Sequence, residues 1–199
     1  MGVIWLIRKI SPLQYKGKYQ GNFTIYCHRE VKHALLTMCN LMIPAKIMSA
    51  VGKTIILQEV DDGETFEVDD MKVTFFDIGS DKTLQYGFSA VMPDGQRVVC
   101  LGDEPYNPVS ERFVKQCDWL LCEAFCLYRD REQFRPYEKH HSTVIDAGKL
   151  AQELNVKNLL LYHTEDTRLF SRRENYTAEA RTVFSGNIYV PTDLETVNI

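Results

Sequence analysis

Three polar stretches follow apolar runs directly: LGDE at 101–104, CEAF at 122–125 and LYHTED at 161–166. In layered α/β proteins, ligand-binding and catalytic groups collect at the carboxyl ends of strands. A fourth stretch, KHHST at 139–143, comes just before a helical pattern, where free backbone N–H groups favour anions. Together these stretches offer Asp103, Glu123, His140, His141 and His163. Each residue alone has a structural explanation. An Asp after Gly is a turn residue, and a His after a strand can serve as a hydrogen-bonding group. Four such stretches in the same kind of place point to a shared site.

The elements that must position these groups are readable from period and punctuation. NFTIYC reads as a strand and HREVKHALLTMCNLM as a helix. TIILQEV is a strand, and TFEVDDMKVTFFDI is two strands joined at Asp69-Asp70. YGFSAVMPDGQRVVCLGD is a hairpin around Pro93-Asp94-Gly95. Beyond Asp103, PVSERFVKQ is helical and CDWLLCEAF is a strand. STVIDAGKLAQELNV is a helix with Ser142 or Thr143 as its cap, and it aligns Ala147, Leu150, Ala151 and Leu154 on one face. KNLLLYH is a buried strand, ENYTAEARTVF the last helix and NIYV the last strand. A β-rich first half followed by alternating α and β predicts an α/β layered sandwich, with 1–199 as one domain.

The opening MGVIWLIRKI places Val3, Leu6, Ile7 and Ile10 on one helical face, widened by Ile4 and Trp5. Its positive charges, Arg8 and Lys9, follow the apolar run instead of preceding it, and the run is too short to cross a bilayer. It reads as a helix without a capped lead-in. SPLQYKGKYQG at 11–21 reads as a loop.

The net charge of −4 gives no sign of a polyanion-binding protein, and Arg168, Arg172 and Arg173 read as a solvated surface. Six cysteines, no two in Cys-x-x-Cys spacing, indicate neither a disulfide scaffold nor a zinc ribbon. Cys100 and Cys122 read as reduced core residues, which implies a cytoplasmic location.

The order Gly102-Asp103, Glu123-Ala124, His141-Ser142-Thr143 before a helix, then a Leu-rich strand closing on His163, resembles the metallo-β-lactamase superfamily. Within it the likeness is to ribonuclease Z-type hydrolases. The resemblance is fuller from Thr74 to Ile199 than over residues 2–73. It implies an αββα layered sandwich, N-terminally incomplete. The family's His-x-His-x-Asp-His stretch is not in this sequence, and MGVIWLIRKI is similar to the helix that follows it, with Met1 just after its last histidine. The family also has a histidine ahead of the stretch matched here by Tyr86-Gly87-Phe88, whereas this chain has Gly79, Ser80 and Asp81.

The resemblance implies two metal ions, zinc or alternatively manganese, that activate water for attack on phosphorus. Asp103 would bridge the metals and His163 would bind one of them. His141 would face the phosphate, and Glu123 would orient His141 through a hydrogen bond. His140 gains no role, and Asp81 is a loop aspartate that could at most offer an oxygen. His28 and His33, five apart on a helix, point to different faces and do not add to the donors. A catalytic zinc takes about three protein donors. Asp103 and His163 fall short, so low metal occupancy and weak hydrolysis are expected.

The reading is therefore a metal-dependent hydrolase of a small phosphodiester, another ester or RNA. The alternative is a metal-free family member acting as a binding or regulatory module. No membrane partner is expected, and self-association through an exposed sheet edge is.

Overall fold

The computed structural model describes residues 2–199, so Met1, and with it the alignment placing it after the signature histidine, lies outside the described residues. Backbone contacts gather into two compact units that divide between Asp61 and Asp62.

The first unit contains helix α1 (Gly2–Tyr15), strand β1 (Phe23–Cys27), helix α2 (Arg29–Met42), the short helix α3 (Ala45–Met48) and strand β2 (Ile55–Glu59). β1 and β2 pair in parallel, Phe23 opposite Ile55 and Cys27 opposite Glu59, with α2 as the crossover. Ile4, Ile7, Leu35, Cys39, Ile43, Ile55 and Leu57 form its core.

Three expectations are corrected in this unit. The buried stripe of α1 is Ile4, Ile7 and Ser11, while Val3, Trp5 and Leu6 are exposed. The helix also runs through Pro12 into the segment read as a loop. Proline removes the bond that the Arg8 carbonyl would accept. The last turn is nonetheless held, because Ser11 is buried and donates to the Ile47 carbonyl at 3.1 Å. His28 is not on α2 at all; it is the extended residue that caps it.

The second unit is a seven-stranded sheet in sequence order: β3 (Thr65–Val68), β4 (Met71–Asp77), β5 (Tyr86–Val91), β6 (Arg97–Cys100), β7 (Trp119–Glu123), β8 (Asn158–Tyr162) and β9 (Asn187–Tyr189). β3 to β6 are antiparallel neighbours, and β6 to β9 are parallel. The parallel half is connected by helices α4 (Glu111–Val114), α5 (Arg131–Phe134), α6 (Val144–Glu153) and α7 (Arg172–Arg181). Val99, Leu120, Leu159 and Leu161 from the strands pack with Val144, Ala147, Ala151, Tyr176 and Ala180 from the helices. That burial is why the parallel strands read as continuous apolar runs.

The Pro93-Asp94-Gly95 hairpin forms as expected, with Met92 and Gln96 bonded across it and Gly95 at φ +87°. Of the arginines read as a solvated surface, Arg173 is exposed while Arg168 and Arg172 are half-buried, and each has an acidic partner. Arg168 lies 3.1 Å from Asp130, Arg172 reaches Asp166 at 4.0 Å, and Arg173 binds Glu195. All six cysteines are free; Cys122 is buried, but Cys100 is only half-buried.

Candidate active site

Parallel pairing sets the ends of three strands side by side. Leu121 accepts from the N–H of Leu101, and Tyr162 from that of Ala124, at 3.2 and 3.0 Å. Asp103 therefore follows β6, Glu123 closes β7 and His163 follows β8, at neighbouring carboxyl ends. His163 turns the chain there in the left-handed region at φ +52°, a conformation that an L-residue holds only against a steric penalty.

The fourth stretch is tied to these ends by hydrogen bonds. Thr143 caps α6 in a reciprocal pair with Asp146, so Thr143, not Ser142, is the cap. Ser142 works towards β7: its N–H donates to Glu123 Oε1 at 2.5 Å, and its hydroxyl to the Glu123 carbonyl at 3.1 Å. The Ser142 carbonyl in turn accepts from the N–H of Phe125 at 3.0 Å. His141 is thereby fixed over the buried Glu123, with Nδ1 3.6 Å from Oε2. This corrects the expected hydrogen bond, since the gap exceeds hydrogen-bond range and neither atom has such a partner. The Phe125 ring stacks on His141 at 5.0 Å and 22°, and the His163 ring lies 4.9 Å from His141.

The electrostatics follow from this packing. Glu123 is fully buried, and the loss of solvent raises its carboxyl to about 7 against the opposing pull of Ser142. The Asp103 charge adds to that rise. Burial also lowers the His141 imidazole, helped by His163 and Lys82 and opposed by Asp103 and Glu104. Asp103 thus acts on both Glu123 and His141, while Glu123, His141 and His163 are in direct proximity.

The segment 79–85 holds residues that sequence reasoning missed. Lys82 pairs with the buried Glu104 at 2.9 Å and donates to the Lys139 carbonyl at 3.3 Å. Gln85 donates to Glu104 at 3.2 Å. Glu104 was visible beside Asp103 in LGDE, but no local spacing announces Lys82. Asp81 is bound to His140 at 3.2 Å, which gives the histidine left without a role a partner. Beside His141 opens a cavity of about 530 Å³, lined among others by Tyr106, Tyr137, His140 and Leu150.

The arrangement positions an imidazole against a buried carboxylate. It does not make up a metal centre. Among the described residues no group of three or more His, Cys, Asp or Glu side chains could hold an ion. Asp81, the further oxygen considered, is engaged with His140. The implied zinc or manganese pair therefore does not fit the donors of this chain.

The sheet, its helical connections and these four stretches are those of one superfamily. The profile of the Beta-lactamase superfamily domain matches residues 7–164, and the chain belongs to that superfamily. A ribonuclease Z of Bacillus cereus (strain B4264) is 29% identical over 142 residues, covering 70% of this chain and 42% of that protein. The chain thus spans about two-fifths of the length of this curated relative. Among solved structures, the metallo-β-lactamase fold protein YhfI from Bacillus subtilis superposes with a TM-score of 0.72 at 20% identity, covering 96% of this chain and 70% of that one. Human tRNase Z, short form, superposes with a TM-score of 0.68 at 17% identity, covering 100% and 73%. At these identities the structures establish the metallo-β-lactamase fold.

Proposed function

We propose that this chain binds a phosphodiester at the His141–Glu123 centre and hydrolyses it in the manner of a ribonuclease Z-like hydrolase. The reading is carried by one observation: a buried carboxylate lies behind an imidazole at the convergence of three strand ends and a capped helix start. Water attacks phosphorus as the bond to the leaving oxygen breaks, protonated His141 gives its Nε2 proton to that oxygen, and Glu123 holds the ring. Asp103 and His163 keep the places that resemblance gives to metal ligands, but no step is assigned to a metal because the donors do not fit one. Turnover by this polypeptide is accordingly slow. Its substrate is a small phosphodiester or RNA in the cytoplasm, and its own sheet edge is a surface for self-association, which light scattering reads directly.

Release of p-nitrophenolate from bis-p-nitrophenyl phosphate, with zinc or manganese added, tests the reading. The wild-type chain should exceed His141→Ala; equal rates would overturn it.

A second reading, a metal-free binding module, is favoured by the Asp81–His140 pair, which engages the further oxygen that the sequence offered as a donor. It predicts that dimethyl phosphate perturbs the His141 ring resonances without any turnover.

A further inference from the structure

The net charge of −4 conceals two opposite halves. Residues 1–61 carry 8 Lys and Arg against 3 Asp and Glu, a net of +5, while residues 62–199 carry 15 against 24, a net of −9. The basic excess coincides with the first compact unit.

Within that unit, the last turn of α1, helix α3 and the turn before β2 enclose an open groove of about 490 Å³. Pro12, Ile47 and Ala50 give it an apolar floor, Lys16, Lys46 and Lys53 stand around it, and no Asp or Glu lines it. None of the three lysines is ion-paired to a carboxylate among the described residues, whereas Lys32 of the same unit pairs with Glu59. Tyr15 is 78% exposed, with the Lys46 ammonium 4.7 Å from its ring centre. The walls are cross-linked and so preformed. Gln14 donates to the Gly21 and Thr54 carbonyls at 3.0 and 3.3 Å, and the Thr54 hydroxyl returns a bond to Gln14 at 2.8 Å. Ser11 ties α1 to α3 through the Ile47 carbonyl.

We infer that this groove binds single-stranded nucleic acid, with phosphates at Lys16, Lys46 and Lys53 and a base stacked on Tyr15. A polynucleotide strand alternates one negative charge with one flat apolar ring. Such a strand complements unpaired lysines set around an apolar floor beside an exposed aromatic ring. An acidic peptide brings the charge without the rings. This inference does not depend on hydrolysis at His141.

Fluorescence anisotropy of a labelled RNA dodecamer tests it on the full chain. Binding should weaken with salt, with a logarithmic slope of roughly −2, about 0.7 for each of three phosphates. The combined variant Lys16→Glu, Lys46→Glu, Lys53→Glu should lose binding at least tenfold. The corresponding Gln variant should lose it as well, which keeps the test open if the first misfolds by circular dichroism. Tyr15→Ala should weaken RNA binding about tenfold and leave inorganic polyphosphate unaffected, while Tyr15→Phe should retain it. The lysine and tyrosine variants should hydrolyse bis-p-nitrophenyl phosphate at the wild-type rate, which separates this groove from the hydrolytic site. Undetectable binding at low salt, unchanged binding by the folded lysine variants, or equal competition by polyglutamate would each overturn the inference.

Discussion

Nδ1 of His141 faces Oε2 of Glu123 across 3.6 Å, and each atom lacks a hydrogen-bond partner in a place closed to water. Glu123 Oε1 is committed to the N–H of Ser142, so the carboxylate cannot swing to satisfy both. Two buried polar atoms left facing each other are ready to form a short bond once His141 gains a proton.

This geometry predicts the effect of Glu123→Gln. The amide oxygen must keep the Ser142 N–H, which turns the amide NH2 towards His141 Nδ1. Nδ1 then has to accept, and the ring proton moves to Nε2, the nitrogen that the proposed mechanism assigns to the leaving oxygen. Hydrolysis of bis-p-nitrophenyl phosphate should fall by on the order of 10²-fold in kcat, with KM little changed and the pH profile displaced. A change confined to KM would remove the positioning role from Glu123.

The same pair makes stability depend on pH. Glu123 has its folded pKa raised from 4.5 to about 7, so its contribution is full below pH 4.5 and is lost as pH rises towards 7. That rise corresponds to about 3 kcal/mol. The lowered His141 acts in the opposite sense: its contribution is present above pH 6.5 and is lost as pH falls through its folded value. Urea unfolding at pH 5 and pH 8 separates the two. The wild type should lose more stability than Glu123→Gln between those values; parallel losses would remove Glu123 as the cause.

Much of this was legible in the sequence, for reasons that can be named. β7 is buried along almost its whole length and β8 alternates buried with half-buried residues, so WLLCE and NLLLY read as apolar runs and their polar ends stand out. The start of α6 was legible to within one residue, because Ser142 and Thr143 are both capping types, and the reciprocal pair with Asp146 selects Thr143. Lys82 and Glu104 were not legible as a pair, because their contact joins a loop to a strand end and has no period. The run of α1 through Pro12 was hidden for a similar reason: the bond holding its last turn comes from Ser11 to Ile47, 36 residues away. Propensity at Pro12 points to a break, and tertiary burial overrides it.

Metal content follows from the donors. With no group of three or more ligating side chains among the described residues, the chain should retain well under two zinc ions after dialysis, measured by plasma emission spectrometry. Addition of zinc should shift the thermal midpoint little, since binding stabilises only in proportion to occupancy. Two ions per chain would show that the donors assemble in a way this geometry does not provide.

The Tyr86-Gly87-Phe88 stretch gives a prediction about packing. A Cβ added at Gly87 would stand 2.5 Å from the Cys100 carbonyl oxygen and 3.0 Å from both Ile78 and the Phe76 ring. The nearest atom is backbone of the neighbouring strand β6, which cannot yield without disturbing the ladder leading to Asp103. Gly87→Ala should therefore destabilise by roughly 1–3 kcal/mol, as overpacking does. For a chain of this length the thermal midpoint falls about 2–4 °C for each kcal/mol. Gly95→Ala is the control: its added Cβ meets nothing within 4 Å, and only the left-handed φ of +87° resists it. It should cost about 1–2 kcal/mol through backbone conformation alone and leave the site untouched. Because the Gly87 clash displaces β6, Gly87→Ala should also lower turnover, which Gly95→Ala should not. Equal turnover in the two variants would mean that the close approach of β5 to β6 does not position Asp103.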